Sequence, residues 1–359
     1  MVTLAEILRR HWPAYDARFG AAVARAHRAA VTAILSCRTP SQGGQLYRCD
    51  CGQTHFAYHS CGHRACNQCG QGDAALWSAR QTTKLLPVPY FLVTFTVPEE
   101  LRRPIRSHQD IFYPLLFRQS AGTLQDVAAN PKHLGATLGF LGVLHAWTRQ
   151  LEYHPHIHYL VPGGGLTADG LNWKPLKDPG FFLPQAVLAA RFRNRLRQIL
   201  EADHQELLRQ IPAKVWRINW VVDVQPAGRG QTALRYLAAY VHKTALSASR
   251  LAACDERTVT FQYRDRASGQ NKLCRLAGQE FLRRFLQHVL PKGFQRVRSY
   301  GWLSAAATVR WQRIQALLDW TAPPPKPLPS PPPILCPCCH KPMRLIGTLP
   351  RSPPLRRFP

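Results

Sequence analysis

Acidic residues are in short supply: 20 Asp and Glu face 47 Lys and Arg across 359 residues, a formal charge of +27. A catalytic centre assembled from several carboxylates is hard to build from so few. Asp223, in a strand-like run, is the best single candidate; it reads equally as an ordinary strand-end or ion-paired residue, and no second acid sits in a comparable place. Apolar runs are short as well. None approaches the roughly 20 residues that a membrane helix needs. The opening "MVTLAEILRRHWPAYDARFG" mixes charge into an amphipathic pattern where a secretory leader would carry an apolar block. No membrane partner is expected, and a reducing cytoplasm is the expected compartment. The 11 cysteines therefore read as metal ligands or free thiols and not as disulfides. No Gly-x-x-x-x-Gly-Lys-[Ser/Thr] loop occurs, so the chain carries no P-loop motor, and no repeat of solenoid length is seen. What remains is 45% apolar, enough for a full-sized core, under a strongly positive surface. That balance favours a polyanionic partner, most often nucleic acid.

Between two cysteine-bearing ends the elements alternate. "YFLVTFTV" (90–97) predicts a strand stopped by Pro98, and a helix follows over 109–127. Two strand-like runs, 136–149 and 153–162, are joined by a few residues and predict an antiparallel hairpin. A helix over 184–210, a strand over 215–226 and a helix over 232–251 come next, then a hairpin from "TVTFQYRDRASGQNKLCRL" and a helix ending at Pro291. This order predicts an α+β fold with a mostly antiparallel sheet and helices on one face. "APPPKPLPSPPP" (322–333) reads as a stiff polyproline linker. Three consecutive segments are expected: 1–80, an N-terminal helix and a metal-binding domain; 81–321, the main domain; and 322–359, a linker and short basic tail.

Six cysteines, Cys37, Cys49, Cys51, Cys61, Cys66 and Cys69, fall within 33 residues. Zn2+ takes four soft or borderline ligands in a tetrahedron, and Cys-x-x-Cys at 66–69 supplies two from one tight turn. Cys49 and Cys51 are the simplest other half of a single structural site, with Cys61 joined by Cys37 or a histidine as a second possibility. In "CPCCH", Cys336 and Cys339 give half a site at best, with Cys338 and His340 as possible partners and a disordered tail as the alternative.

The stretch "LEYHPHIHYLVPGGG" (151–165) places His154, His156 and His158 on alternate positions, hence on one face of a strand. Pro155 favours an edge position or a strand start. The preceding run carries His145. If the hairpin register sets His145 beside His156 and His158, three imidazoles converge on one metal ion; a slip of one residue turns His145 away. Any single histidine is ordinarily a core or surface residue, but His-x-His opposite a third is better read as a metal site. Further on, Tyr236 and Tyr240 lie four apart on a helix, about 6 Å along its axis. Taken alone the pair reads as core packing. Beside a metal it becomes a pair of nucleophile candidates, with Lys243, Arg235 or His242 placed to favour the phenolate.

Together these motifs resemble the HUH endonucleases. More narrowly, "YRCDCG", "SCGHRACNQCG", "LEYHPHIHYLVPGGG", "YLAAYVHKTALS" and "EFLRRFLQHVLPKGFQRVRSYGWL", in this order over roughly residues 30 to 305, resemble bacterial rolling-circle insertion-sequence transposases of the two-tyrosine type. The resemblance implies a palm-like antiparallel sheet carrying the metal, preceded by a small zinc-binding domain and with the tyrosine helix lying across the sheet. It further implies attack of a tyrosine on single-stranded DNA at element ends and target, leaving a 5′-phosphotyrosine and a free 3′-hydroxyl. Mg2+ or Mn2+ is the usual ion in such enzymes, although histidine ligands suit zinc or manganese better than magnesium. No nucleotide is consumed, and unwinding falls to a host helicase. The expected setting is the nucleoid of a bacterial cytoplasm. The first cysteine pair departs from the family pattern in being Cys-x-Cys, and the segment at 66–69 lacks a proline, which leaves the zinc ligand allocation open.

Other readings are a relaxase or plasmid replication initiator of the same chemistry, a His-x-His metallohydrolase, for which position 160 would be acidic and is Leu160, and a non-catalytic zinc-finger DNA-binding protein. "LLRQIPAKVWRINW" and "GFQRVRSYGW" interleave Arg with Trp and Tyr, a composition suited to phosphate contact and base stacking or, equally, to amphipathic strands with core Trp. Arg296 and Arg298 are the candidates for contact with the DNA backbone.

Overall fold

A computed structural model describes residues 2–69, 71–242, 244–324 and 332–351, with backbone alone at 71–73, 239, 240 and 242. Lys243, the side chain of Tyr240 and most of the expected polyproline linker (325–331) lie outside the described residues. The chain clusters into two units, each assembled from separated segments: 74–241 with 290–326, and 1–73 with 242–289 and 327–359. Each unit thus draws on separated parts of the chain. The reason is strand pairing between distant parts of the chain, described below for the second unit.

The unit of 74–241 and 290–326 is built on five strands in the spatial order Val297–Gly301, Gly139–Trp147, Tyr153–Pro162, Tyr90–Thr96 and Val221–Pro226, every neighbouring pair antiparallel. Alternate residues along a strand face opposite ways, and the register sorts the sheet into two chemically different faces. On one, Phe95, Phe140 and Tyr159 pack edge to face. The helices Gln109–Ala129 and Gln185–Asp203 cover this face: Phe192 meets Phe95 with ring centroids 5.1 Å apart, and the Tyr159 and Ser120 hydroxyls are hydrogen-bonded at 2.7 Å. Gly142 lies opposite Tyr159, whose ring stands 2.5 Å from where a Cβ would be. Only glycine leaves room for the ring there.

The other face carries Leu141, Val143 and Leu160, which form one buried cluster with Leu234 and Leu237 of the helix Gln231–His242. The two long helices therefore follow the one-face expectation, and the tyrosine-bearing helix takes the opposite face. That helix ends well short of residue 251, because 251–254 are drawn into a strand against Thr258–Arg264. Strand pairing claims Leu251, and a 3-10 turn at Ala248–Arg250 leads into it. The expected strand over 215–226 likewise shortens to Val221–Pro226, with a single 3-10 turn at Ala213–Trp216 before it.

In the second unit, Gly44–Arg48 is the central strand of three, flanked by Thr54–Tyr58 and by the C-terminal Arg344–Leu349, both antiparallel. A further three-stranded sheet, Leu251–Cys254, Thr258–Arg264 and Asn271–Ala277, leads into the helix Gly278–Leu286, which packs on Leu4–Phe19. Their contact is close: the His11 ring stands 2.1 Å from where a Cβ on Gly278 would be. Among the described residues, no helix is long and apolar enough to cross a membrane.

Candidate active site and metal centres

The hairpin register sets His145 opposite His156 and Thr94 opposite His158, so the three imidazoles share the face that the helix Gln231–His242 covers. A β-bulge lies just beyond: Trp147 pairs with Tyr153, leaving Ala146 to face both His154 and Pro155. Pro155 thus sits at the strand start, where the ladder asks nothing of its missing N–H. One ligand nitrogen from each of His145, His156 and His158 lies within 4.8 Å of the others, and all three side chains are buried.

The hydrogen bonds orient these rings. His156 Nδ1 donates to the His154 carbonyl at 2.7 Å, which leaves its Nε2 lone pair turned to His145 Nδ1, 2.8 Å away. His158 Nδ1 lies 2.9 Å from Thr94 Oγ1. When Nδ1–H donates to that hydroxyl, the lone pair is on Nε2. Burial disfavours the charged imidazolium, pushing His156 down to about 3, with the neighbouring His158 adding to the effect, and His158 down to about 4. The pair is therefore neutral at physiological pH, the protonation state a metal requires. Three imidazoles converging on one point, His156 and His158 neutral, fit a divalent cation well.

Tyr236 projects from its helix beside this cluster, its ring centroid 5.6 Å from that of His158, and remains 42% exposed. The phenol is thus adjacent to the imidazoles and open to solvent. Tyr240 is one helical turn further on in the same helix. Arg296 and Arg298 are half-buried against aromatic rings: Arg296 lies over the Trp147 ring at 5.3 Å, and Arg298 over Phe117 at 4.5 Å and Phe294 at 5.5 Å. Trp147 is itself 4.4 Å from the His145 ring, which places Arg296 at the edge of the histidine site, whereas Arg298 packs under the long helix Gln109–Ala129.

Two groups of four cysteines are assembled in the other unit. Cys66 and Cys69 stand with Cys37 and Cys61, the Sγ atoms of Cys37 and Cys61 each 3.6 Å from that of Cys69. Cys49 and Cys51 stand instead with Cys336 and Cys339. The simplest sequence pairing, 49/51 with 66/69, is therefore not the one the fold makes. The C-terminal pair, expected to be half a site at best, meets its other half because the strand Arg344–Leu349 pairs with Gly44–Arg48. In each group one sulfur is held toward the thiolate: a hydrogen bond from Cys66 lowers Cys61 to about 5, and the backbone N–H groups of Cys339 and Cys338 lower Cys336 to about 6.

Sequence reasoning missed Thr94 as the residue that orients His158. The signal was present in "LVTFT", where Thr94 and Thr96 alternate with buried apolar residues and so share a face with the histidines once paired. Asp223, raised only as a lone carboxylate, lies opposite Thr94 on the next strand.

A family described as "Putative transposase" matches residues 139–310, the span from the histidine hairpin through the tyrosine helix. A second, described as "Transposase zinc-binding domain", matches residues 7–97. "Putative transposase y4qJ" of Sinorhizobium fredii is 38% identical over 319 residues, covering 84% of this chain and 80% of that protein. "Transposase for insertion sequence element IS801" of Pseudomonas savastanoi pv. phaseolicola is 29% identical over 292 residues, 76% and 69% of the two chains. No solved structure matches.

Proposed function

Because this chain belongs to the bacterial insertion-sequence transposases that carry a zinc-binding domain near the N-terminus, we propose that it cuts and rejoins single-stranded DNA through a covalent tyrosine–phosphate intermediate, the HUH two-tyrosine chemistry of rolling-circle transposition. The observation that carries this reading is the meeting of His145, His156 and His158 on one sheet face with the exposed Tyr236 beside His158. A divalent ion held by the three imidazoles would polarise the scissile phosphate and stabilise its developing charge. Mn2+ suits such a ligand set better than Mg2+.

The protein's own groups set the geometry. Thr94 and the His154 carbonyl fix two of the rings, so that lone pairs, and not N–H groups, face the site. Tyr236 Oη attacks phosphorus; the P–O bond to the 3′-oxygen breaks, leaving a 5′-phosphotyrosine and a 3′-hydroxyl. The phenol proton leaves to solvent, and the departing oxygen takes one up. Tyr240 acts in the second strand transfer, and Lys243, just beyond the helix, favours the phenolate. Arg296, at the site's edge, meets the DNA backbone, while Arg298 serves the packing of the sheet. Without a P-loop in the sequence, strand separation comes from a host helicase, and the protein works at the bacterial nucleoid.

The test is adduct formation on single-stranded oligonucleotides from the element ends in the presence of Mn2+. Wild type forms a covalent protein–DNA species; Tyr236→Phe together with Tyr240→Phe forms none. An adduct that survives in the double variant removes the tyrosines from the chemistry. A binding-competent wild type that never forms one makes the chain a DNA-binding module.

A further inference from the structure

We propose that Cys49, Cys51, Cys336 and Cys339 hold a structural zinc ion of their own, a clasp that fastens the C-terminal strand to the zinc-binding domain and is separate from the centre at Cys37, Cys61, Cys66 and Cys69. The family match for the zinc-binding domain ends at residue 97, so half of this ligand set lies outside it. Cys51 and Cys336 are 285 positions apart, yet their sulfurs are 3.5 Å apart.

The sulfur spacing fits a tetrahedron. Cys49 Sγ lies 3.4 Å from Cys339 Sγ, and Cys51 Sγ lies 3.5 Å from Cys336 Sγ and 3.7 Å from Cys339 Sγ. With Zn–S bonds near 2.3 Å, the edge of a tetrahedral ZnS4 centre is about 3.8 Å. Two disulfides would draw the sulfurs into pairs at about 2.05 Å, whereas here Cys51 is nearly equidistant from two partners. The Cys37 group shows the same spacing, with two edges of 3.6 Å.

The backbone is shaped for the same purpose on both sides. Cys49 N–H donates to the Gln53 carbonyl and Gly52 N–H to the Cys49 carbonyl, a tight turn that Gly52 closes at φ +88°. Across from it, Cys336 N–H donates to the Lys341 carbonyl and His340 N–H to the Cys336 carbonyl. Each half-site is thus a loop bent back on itself with both sulfurs turned inward. Cys338, between the two C-terminal ligands, is exposed and outside the group. Around the sulfurs the apolar cover is thin: Met343 is the other buried member of the cluster, with Tyr47 and Ile334 packed against it. So small a core gives the three-stranded sheet little stability of its own, and metal ligation would add to it.

The experiment measures zinc per chain in the full-length protein purified under reducing conditions without chelator. Two ions are expected in wild type. Cys336→Ser with Cys339→Ser, Cys49→Ser with Cys51→Ser, and all four together should each leave one ion, and Cys338→Ser should leave two. A single ion in wild type, additive loss from the two pairs, or loss of 2 Da per cysteine pair by intact mass overturns the proposal. Should the serine variants fail to fold, Cys339→His decides: its cobalt-substituted form keeps two ions per chain and loses charge-transfer intensity equal to about one thiolate in eight. An unchanged spectrum overturns the assignment.

Discussion

Replacing Thr94 with valine removes one oxygen and keeps the β-branched shape that a central strand favours. Its hydroxyl lies 2.9 Å from His158 Nδ1, and His158 is only 5% exposed. Taking the partner from a buried N–H costs about 1–3 kcal/mol, equal to about 5-fold to 150-fold in an equilibrium constant. Loss of the hydrogen-bond partner of a ligating histidine typically lowers metal affinity about 10- to 100-fold. The half-saturating Mn2+ concentration for oligonucleotide cleavage should therefore rise about 10- to 100-fold in Thr94→Val. The rate at saturating Mn2+ should stay near wild type, because no reacting atom has been touched. Thr94→Ser, which restores an oxygen, should return most of the affinity. An unchanged Mn2+ dependence in Thr94→Val would refute the assigned role. A lost rate at saturation with unchanged Mn2+ dependence would move Thr94 from orienting a ligand to acting on the DNA.

In the metal-free protein the imidazole resonances of His156 and His158 should not titrate between pH 7.5 and 5.5, since burial holds them at about 3 and about 4. The unfolded chain takes up these protons near 6.5, so the stability the two residues lend is full above that pH and is lost as pH falls toward about 4; an NMR midpoint near 6.5 would contradict this. Arg298→Ala should cost about 1–2 kcal/mol through the lost contacts with Phe117 and Phe294, read as a fall in Tm, while the salt dependence of DNA binding keeps its slope. A slope reduced by about one would make Arg298 a phosphate contact instead. Gly142→Ala should destabilise the sheet unit by about 1–3 kcal/mol, because the added carbon would stand 2.5 Å from the Tyr159 ring; a wild-type denaturant midpoint would show that the ring moves aside freely.

The strand alternation of 90–97 and 153–162 was legible because it rests on local chemistry: β-branched and aromatic residues at period two, with proline marking the ends. The histidine face was legible for the same reason. Register was not. A slip of one residue would have turned His145 to the aromatic face, and what holds it is the fit of Tyr159 over Gly142 together with the bulge at Ala146, neither of which a single strand announces. The tyrosine helix was read too long because alanine and leucine after His242 carry helical propensity, while the strand that begins at Leu251 has its partners several residues downstream. The cysteine allocation failed for a related reason. Any Cys-x-x-Cys can complete any Cys-x-Cys, and the choice is made by which strands pair, here Gly44–Arg48 with Arg344–Leu349.

The charge balance bears on how such a site can work at all. A divalent cation approaching a chain of formal charge +27 is repelled, and among the described residues the ligand group at the sheet contains no carboxylate to offset this. Protonated histidines would add to the repulsion. The apolar cluster of Leu141, Val143, Leu160, Leu234 and Leu237 beside the rings helps shield them from water and so disfavours protonation. Neutral imidazoles still bring no negative charge. The missing charge is what a DNA phosphate carries, so in the proposed reaction a cation and a scissile phosphate would each favour the other's binding at this face, by the same factor in both directions. Under the proposed chemistry, a site of this composition would bind its cation more tightly with substrate present, which would favour the activated state when Tyr236 has a phosphate to attack.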